Sequence, residues 1–274
     1  MYNPMKTFPA ILVVTLLSLF LFSCEKEAEN PPKIEDGLIL YMPFDGNIKD
    51  YSGSSNDGID HTDGKFTFGE WCLAKEFNGT SDYIELTNTL PTSYGFSVSF
   101  WIKTKGVVGT DNNGCIISKY SMAGNNRCLL LNSYGINDDR TVDRVLVAFY
   151  SQNYYESRDH DNAGSYLAAS DLAQYEDPSL WAILNPRKLT KNKWMHCVVN
   201  MTSTSLEVWL DGTLCTKKAR EYQTYLDTNV KTYIGNCLWG GGGTNNHFHG
   251  ALDELRVYNR PLTIEEINAL AQRR

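Results

Sequence analysis

The stretch FDGNIKDYSGSSNDG, residues 44 to 58, places Asp45, Asn47, Asp50, Asn56 and Asp57 among glycines and serines directly after a short apolar run. Carboxylates and side-chain amides at this density suit a hard cation, because calcium takes six to eight oxygen ligands from carboxylates, carbonyls and water in flexible geometry. Glycines let backbone carbonyls turn inward toward such an ion. The same residues equally suit a loop closed by its own Asx-type hydrogen bonds. Asp253, in ALDELRVY near the other end of the chain, bears on the choice. It shares strand parity with Leu255 and Val257, so simple alternation points it toward the apolar side. A carboxylate there must be protonated, reach water at a strand end, accept from loop amides, or meet a cation.

Other residue types suit sugar recognition. Trp101 lies on the serine-lined parity of FSVSFWIKT, Trp209 shares parity with Glu207 and Asp211 in LEVWLDG, and Trp239 stands beside glycines and near Asn245, Asn246, His247 and His249. An indole offers a flat apolar face and a polar tip, which fits a pyranose ring flanked by hydroxyls. The same outward tryptophans also fit as packing surfaces beneath a covering segment. Hydrolysis of a glycosidic bond would need two carboxylates roughly 5 to 9.5 Å apart. Glu85 stands alone in YIEL, and regular alternation would send Asp253 and Glu254 to opposite strand faces. A composite pair such as Glu85 with Glu207, or Glu156, Asp159 and Asp161, is the remaining route to catalysis, and solvated charge is the plainer reading of each. The sequence has no GxSxG elbow, P-loop or HExxH, so serine-hydrolase, nucleotide and zincin chemistry lack support.

The elements that must position these residues are strands. In GLILYMPF and GFSVSFWIKT the apolar residues recur every second position, the period of half-buried antiparallel strands. WCLAKEFN, DYIEL, CIISKY, CLLLNS, DRVLVAFY, WMHCVVNM, SLEVWLDG, TYIGNC and ALDELRVY add nine further candidates, separated by Gly, Asn, Asp and Ser turn clusters. Short strands with no helices between them call for two packed antiparallel sheets. Residues 151–190 break the rhythm as an excursion too long for a hairpin, rich in tyrosine. At the C-terminus, Thr263 and Glu266 make a capping box, with Leu262 and Ile267 as a hydrophobic staple, so a short helix is expected from about Ile264 to Gln272.

The N-terminus reads differently. Lys6 precedes an apolar run from Ile11 to Phe22 that is shorter than the ~20 residues of a spanning helix, which is the pattern of an export signal. Leu21-Phe22-Ser23-Cys24 resembles a bacterial lipobox, so residues 1–23 are expected to be a lipoprotein signal peptide, Cys24 the lipidated residue and 24–36 a tether. The short acidic run after Cys24 resembles the surface-export signal of Bacteroidetes-type lipoproteins, which implies an outer-membrane, surface-exposed location. The formal net charge of −7 becomes more negative once Lys6 is removed, and this excludes nucleic acid as an expected partner. Six further cysteines, Cys72, Cys115, Cys128, Cys197, Cys215 and Cys237, permit disulfides in an exported chain without fixing their pairing.

GLILYMPFDGNIKDYSGSSNDG, AKEFNGTSDYIEL, FSVSFWIKT, KWMHCVVNM, LEVWLDG, TYIGN and FHGALDELRVYNRPLTIEEINAL, taken in order, resemble the landmarks of the laminin-G-like jelly-roll family within the concanavalin A-like lectin/glucanase fold. The resemblance implies an all-β, two-sheet antiparallel jelly-roll sandwich over residues 37–274, ended by a short helix. It also implies a structural calcium between the first loop and the last strand, with Asp45, Asp50, Asn56 and Asp253 as expected ligands. Glucanase relatives in this fold carry an ExDxxE strand motif, which this sequence lacks. The expected function is therefore noncatalytic carbohydrate binding or adhesion, with Trp239, Asn245, His247, Trp101 and Trp209 as ligand-contacting residues and a glycan or glycosylated surface as partner. A glycan-cleaving enzyme with its site in 151–190 is the alternative, and a structural protein-interaction module in a surface assembly is a third.

Overall fold

The computed structural model describes residues 34–88, 90, 95–106, 113–120, 127–134, 144–150, 164–168, 189–219, 230–237 and 246–272. The expected signal peptide, Cys24, most of the tether, Trp239, Asn245 and most of the 151–190 excursion lie outside the described residues. Within them run fifteen strands: β1 (Leu38–Met42), β2 (Gly58–Asp60), β3 (Phe66–Phe68), β4 (Leu73–Asn78), β5 (Ile84–Leu86), β6 (Phe96–Thr104), β7 (Asn113–Tyr120), β8 (Arg127–Tyr134), β9 (Arg144–Tyr150), β10 (Gly164–Ala168), β11 (Met195–Met201), β12 (Ser205–Leu210), β13 (Thr213–Ala219), β14 (Tyr233–Ile234) and β15 (His249–Tyr258). One helix, α1 (Ile264–Ala271), follows.

The strands form two antiparallel sheets. The first runs β13-β12-β11-β6-β15-β4-β3, with β1 also paired to β15; the second runs β10-β9-β8-β7-β14-β5-β2. Alternation decides which residues meet between them. Phe96, Val98, Phe100 and Ile102 of β6 pack with Cys197 and Val199 of β11, Leu252, Leu255 and Val257 of β15, and Ile84, Ile117, Leu131 and Ile234 of the second sheet. All eleven expected strands form. The others, β2, β3, β10 and β13, were not expected: β2 and β3 are three residues long, too short to display a period, and β10 falls inside the excursion, where it pairs with β9.

The last strand departs from the expected parity. Its register against β6 shifts between Asp253 and Arg256, and Glu254 adopts φ 53°, which makes a β-bulge. Leu252 and Leu255 therefore both face the core. Asp253 lies opposite Trp101 on the outer face of the sheet, not on the core side, and Glu254 turns to that same outer face to bond the Tyr41 hydroxyl and Arg256. Strict alternation would have separated these two carboxylates.

The outer face of the eight-stranded sheet is covered at one end by α1. Val198, Trp209 and Tyr258 pack against Leu262, Ile267 and Leu270. Beneath them Asn200 Oδ1 accepts from the Ser97 hydroxyl (2.7 Å) and the Leu262 amide (2.9 Å). The helix starts as its sequence specifies: the Thr263 hydroxyl accepts from the Glu266 amide, and the Glu266 carboxylate accepts from the Thr263 amide. Replacing Thr263 with Ala is expected to cost about 1 kcal/mol and to lower the melting temperature by about 2–4 °C, measured by thermal denaturation followed by circular dichroism.

Candidate functional site

On the second sheet, DYIEL and TYIGN place side chains alternately. Ile84, Ile234 and Ile117 align across β5, β14 and β7 in the core, while Glu85, Tyr233 and Ser118 align on the opposite face. Tyr83 shares the outer parity of Glu85. It is set by the turn NGTSD, in which Asn78 Oδ1 accepts from the amides of Thr80, Ser81 and Asp82 at 2.8, 2.9 and 3.1 Å. Gly79, at φ 78°, supplies the left-handed residue this turn needs.

Tyr83 is the hub of an aromatic cluster. His61 stacks on it at 4.4 Å with the planes 12° apart, Tyr233 meets it edge-on at 6.0 Å, and His247 lies tilted at 6.4 Å. Tyr83 and Tyr233 are half-buried and His61 is exposed. Glu85, ion-paired with Lys231, borders the cluster 4.0 Å from His61 Nε2. His247 Nδ1 donates to the Asp82 carbonyl (3.3 Å), and burial lowers its pKa, which favours the neutral imidazole. Burial and the neighbouring Glu85 raise the Tyr233 pKa, so its hydroxyl stays a donor. The surface thus combines apolar ring faces with a carboxylate, an ammonium, a phenol and imidazole, a set suited to a small polar ligand with an apolar side.

Of the expected ligand contacts among the described residues, His247 joins this cluster and Trp101 and Trp209 do not. Trp101 and Trp209 are 2% and 8% exposed. Trp101 packs on His196 at 5.3 Å, and Trp209 lies under α1 and donates its indole N–H to Glu207 (3.2 Å); both are packing residues here. Sequence reasoning did not single out His61, Tyr83, Tyr233 and Lys231, which the structure gathers here. The shared parity of Tyr83 and Glu85 was visible in YIEL, but the meeting of β5 with β14 was not. Glu85 and Glu207 stand on different sheets, so that carboxylate pair does not form.

The aspartate-rich loop resolves into two groups. β1 pairs with β15 along one edge, and the loop satisfies its other edge. Asp50 Oδ1 accepts from the amides of Tyr41 and Ser52, both at 2.9 Å, and its Oδ2 accepts from the Ser52 hydroxyl and the Asn56 amide, also at 2.9 Å. Asn56 Nδ2 donates to the Ile39 carbonyl (2.8 Å). These four bonds use all the lone-pair positions of the Asp50 carboxylate.

Asp45 and Asp253 instead hold the segment before β4. Asp45 Oδ1 accepts from the Leu73 amide (3.0 Å), and Asp253 Oδ2 accepts from the amides of Glu70 (2.8 Å) and Trp71 (3.2 Å). Asp253 is 0% exposed, and its Oδ1 is buried without a hydrogen-bond partner. Desolvation, with repulsion from Glu254 and Asp45, raises its pKa to about 8 against the partly compensating amides. Among the described residues, no three His, Cys, Asp or Glu side chains converge into a metal-binding group. Any cation here would draw on these two carboxylates, backbone carbonyls and water.

A family model described as the concanavalin A-like lectin/glucanases superfamily matches residues 78–268. Among solved structures, domain 4 of AbnA, an extracellular GH43 arabinanase of Geobacillus stearothermophilus in complex with arabinotriose, superimposes with a TM-score of 0.59 at 18% identity, over 86% of this chain and 98% of that one. The binding domain of botulinum neurotoxin DC in complex with SialylT does so with a TM-score of 0.55 at 13% identity; the match covers 86% of this chain and 51%, about half, of that chain. A stretch of 82 residues is 34% identical to tRNA pseudouridine synthase B of Shouchella clausii, spanning 29% of this chain and only 27% of that enzyme.

The raised Asp253 pKa predicts a pH dependence. A carboxyl that holds its proton more tightly folded than unfolded contributes stability that is full below its unfolded pKa and is lost as pH rises through the folded one. In protein freed of divalent cations, stability should fall between about pH 4 and pH 8, the upper limit being set by the folded pKa of about 8. In Asp253→Asn that segment of the stability-versus-pH curve should flatten, as read by urea denaturation across the range.

Proposed function

The chain belongs to the concanavalin A-like lectin/glucanases superfamily, and on that basis we propose that it binds a glycan without cleaving it, on the outer face of its seven-stranded sheet. The observation that carries this reading is the half-buried pair Tyr83 and Tyr233, bordered by Glu85, Lys231, His61 and His247. A sugar laid on the tyrosine faces would place its C–H groups on the rings and its hydroxyls within reach of the carboxylate, ammonium and imidazoles. The arabinotriose held by the arabinanase domain, on the same fold, is consistent with a saccharide ligand. The separation of Glu85 from Glu207 supports a binding role over hydrolysis, which needs two carboxylates across one bond.

Calcium belongs to this proposal as a stabiliser of the fold. Asp253 and Asp45 would hold it, and the unpartnered buried Oδ1 of Asp253 is the observation that fits. The ion would supply the positive charge this carboxylate lacks. A lipid on Cys24 would keep the module at the outer surface of the cell, near glycans of its surroundings.

In a glycan array followed by titration calorimetry, Tyr233→Ala and Tyr83→Ala should each weaken binding about 30-fold, the loss of about 2 kcal/mol typical of a central aromatic contact. Trp209→Phe should leave affinity unchanged. Binding unaffected by both tyrosine changes would refute this site. Calcium should raise the melting temperature of the wild type and leave Asp253→Asn unresponsive; an equal response in both would remove Asp253 as a ligand.

A further inference from the structure

Among the described residues, the thiols of Cys115, Cys197, Cys215 and Cys237 are buried and not disulfide-bonded. They form two neighbouring pairs that differ in geometry. Cys197 is on β11 and Cys215 on β13, with β12 between them. Two strand spacings separate their backbones by roughly 9–10 Å, beyond the ~7 Å that a disulfide spans. Cys115 and Cys237 lie on directly adjacent segments. The ladder of β7 with β14 runs through Ile117 opposite Ile234 and continues as the Gly235 amide donates to the Ile116 carbonyl (2.8 Å). The Ser118 hydroxyl then reaches the Asn236 carbonyl (2.8 Å). Continued by one step, this register sets Asn236 opposite Cys115, with Cys237 one residue beyond. Both cysteines are 0% exposed, the Cys115 thiol donates to the Leu131 carbonyl (3.8 Å), and Cys237 is near enough to help raise the Cys115 pKa. One strand spacing of ~4.8 Å combined with a one-residue offset of ~3.3 Å is a diagonal of about 6 Å at Cα, inside the ~4.4–6.8 Å window of a disulfide.

We propose that Cys115 and Cys237 are joined by a disulfide in the mature protein, fastening the segment after β14 to β7. Cys72 is already disulfide-bonded, which shows that this chain uses oxidised cysteine. The oxidant is an exchangeable disulfide, carried by a thiol–disulfide oxidoreductase or a small dithiol couple. One cysteine thiolate attacks that disulfide and releases one of its thiols, forming a mixed disulfide. The second cysteine thiolate then attacks the protein-side sulfur and releases the other thiol. Both cysteine S–H bonds are lost, one S–S bond forms, and the oxidant takes up two electrons and two protons. The exchange takes place before the sandwich closes, because the folded site excludes the oxidant and burial pushes the Cys115 thiol far above its ordinary pKa. The same burial then protects the bond from reductants.

The link also closes a structural circuit. The Cys115 amide donates to the Asn246 carbonyl (2.9 Å), and the Phe248 amide to the Gly235 carbonyl (2.9 Å), so Cys115 sits where both flanks of residues 238–245 return to the sheet. The proposal does not depend on what the neighbouring tyrosine face binds.

The test is a peptide map of the full chain, produced with its own leader in an exporting host and alkylated after unfolding without reductant. The expected result is a Cys115–Cys237 linked peptide lighter by two hydrogens than the sum of its parts, with Cys197 and Cys215 both alkylated. Alkylation of Cys115 and Cys237 in that sample would overturn the proposal, as would either one linked elsewhere. As a second readout that needs no variant, unfolding in reductant should lower the melting temperature of the wild type more than that of Cys237→Ser. An equal drop in both would count against the bond.

Discussion

The last strand of this chain lies in the middle of its larger sheet, and the sandwich depends on that placement. β15 pairs with β6 along one edge; along the other it is shared, with β4 taking Leu252 and its predecessors and β1 taking Leu255 and its successors. Neither sheet edge nor core is complete until the final residues arrive, so closure is a long-range event and local propensity cannot deliver it. The bulge at Asp253 and Glu254 falls at the point where one partner gives way to the other. It lets the strand keep Leu252 and Leu255 both in the core while turning two adjacent carboxylates outward.

Those carboxylates are then neutralised differently. Glu254 has Arg256 at 2.5 Å and the Tyr41 hydroxyl at 3.0 Å, and Arg256 stacks over the Tyr41 ring at 4.1 Å. Asp253 has two amides and no side-chain cation. A buried carboxylate held by amides alone is the costlier arrangement, and it makes Asp253 the weak point of the contact between β15 and the segment before β4. The aspartates of the first loop separate along the same line. Asp50 and Asn56 close the open edge of β1, whereas Asp45 shares the β4 approach with Asp253.

The two outer faces serve different ends. That of the eight-stranded sheet is filled: Ser97, Asn200 and Glu207 bond one another and the start of α1, and Trp101, His196 and Trp209 are packed away. The outer face of the smaller sheet keeps Tyr83 and Tyr233 half-open beside charged groups. At the margin, buried Lys75 of β4 bonds Asp60 of β2 at 2.9 Å, linking the two sheets beside this face. Tryptophans drew attention in the sequence because they are large and scarce, yet size made them useful under the helix. The smaller tyrosines, which the sequence repeats many times, form the half-buried cluster.

Period-two alternation and turn residues were enough to determine the all-β class, eleven of the fifteen strands and the capped terminal helix, because each of these depends on neighbours within a few residues. Three-residue strands such as β2 and β3 carry no readable period and exist only through their partners. The side of the sheet on which Asp253 and Glu254 lie was decided by the bulge, which costs one residue of register and leaves no mark in the pattern LDELRV. The meeting of Tyr83 with Tyr233, about 150 residues apart, and of Cys115 with Cys237 was likewise decided by strand order, since antiparallel pairing across such separations is a property of the assembled sheet and not of any stretch of sequence.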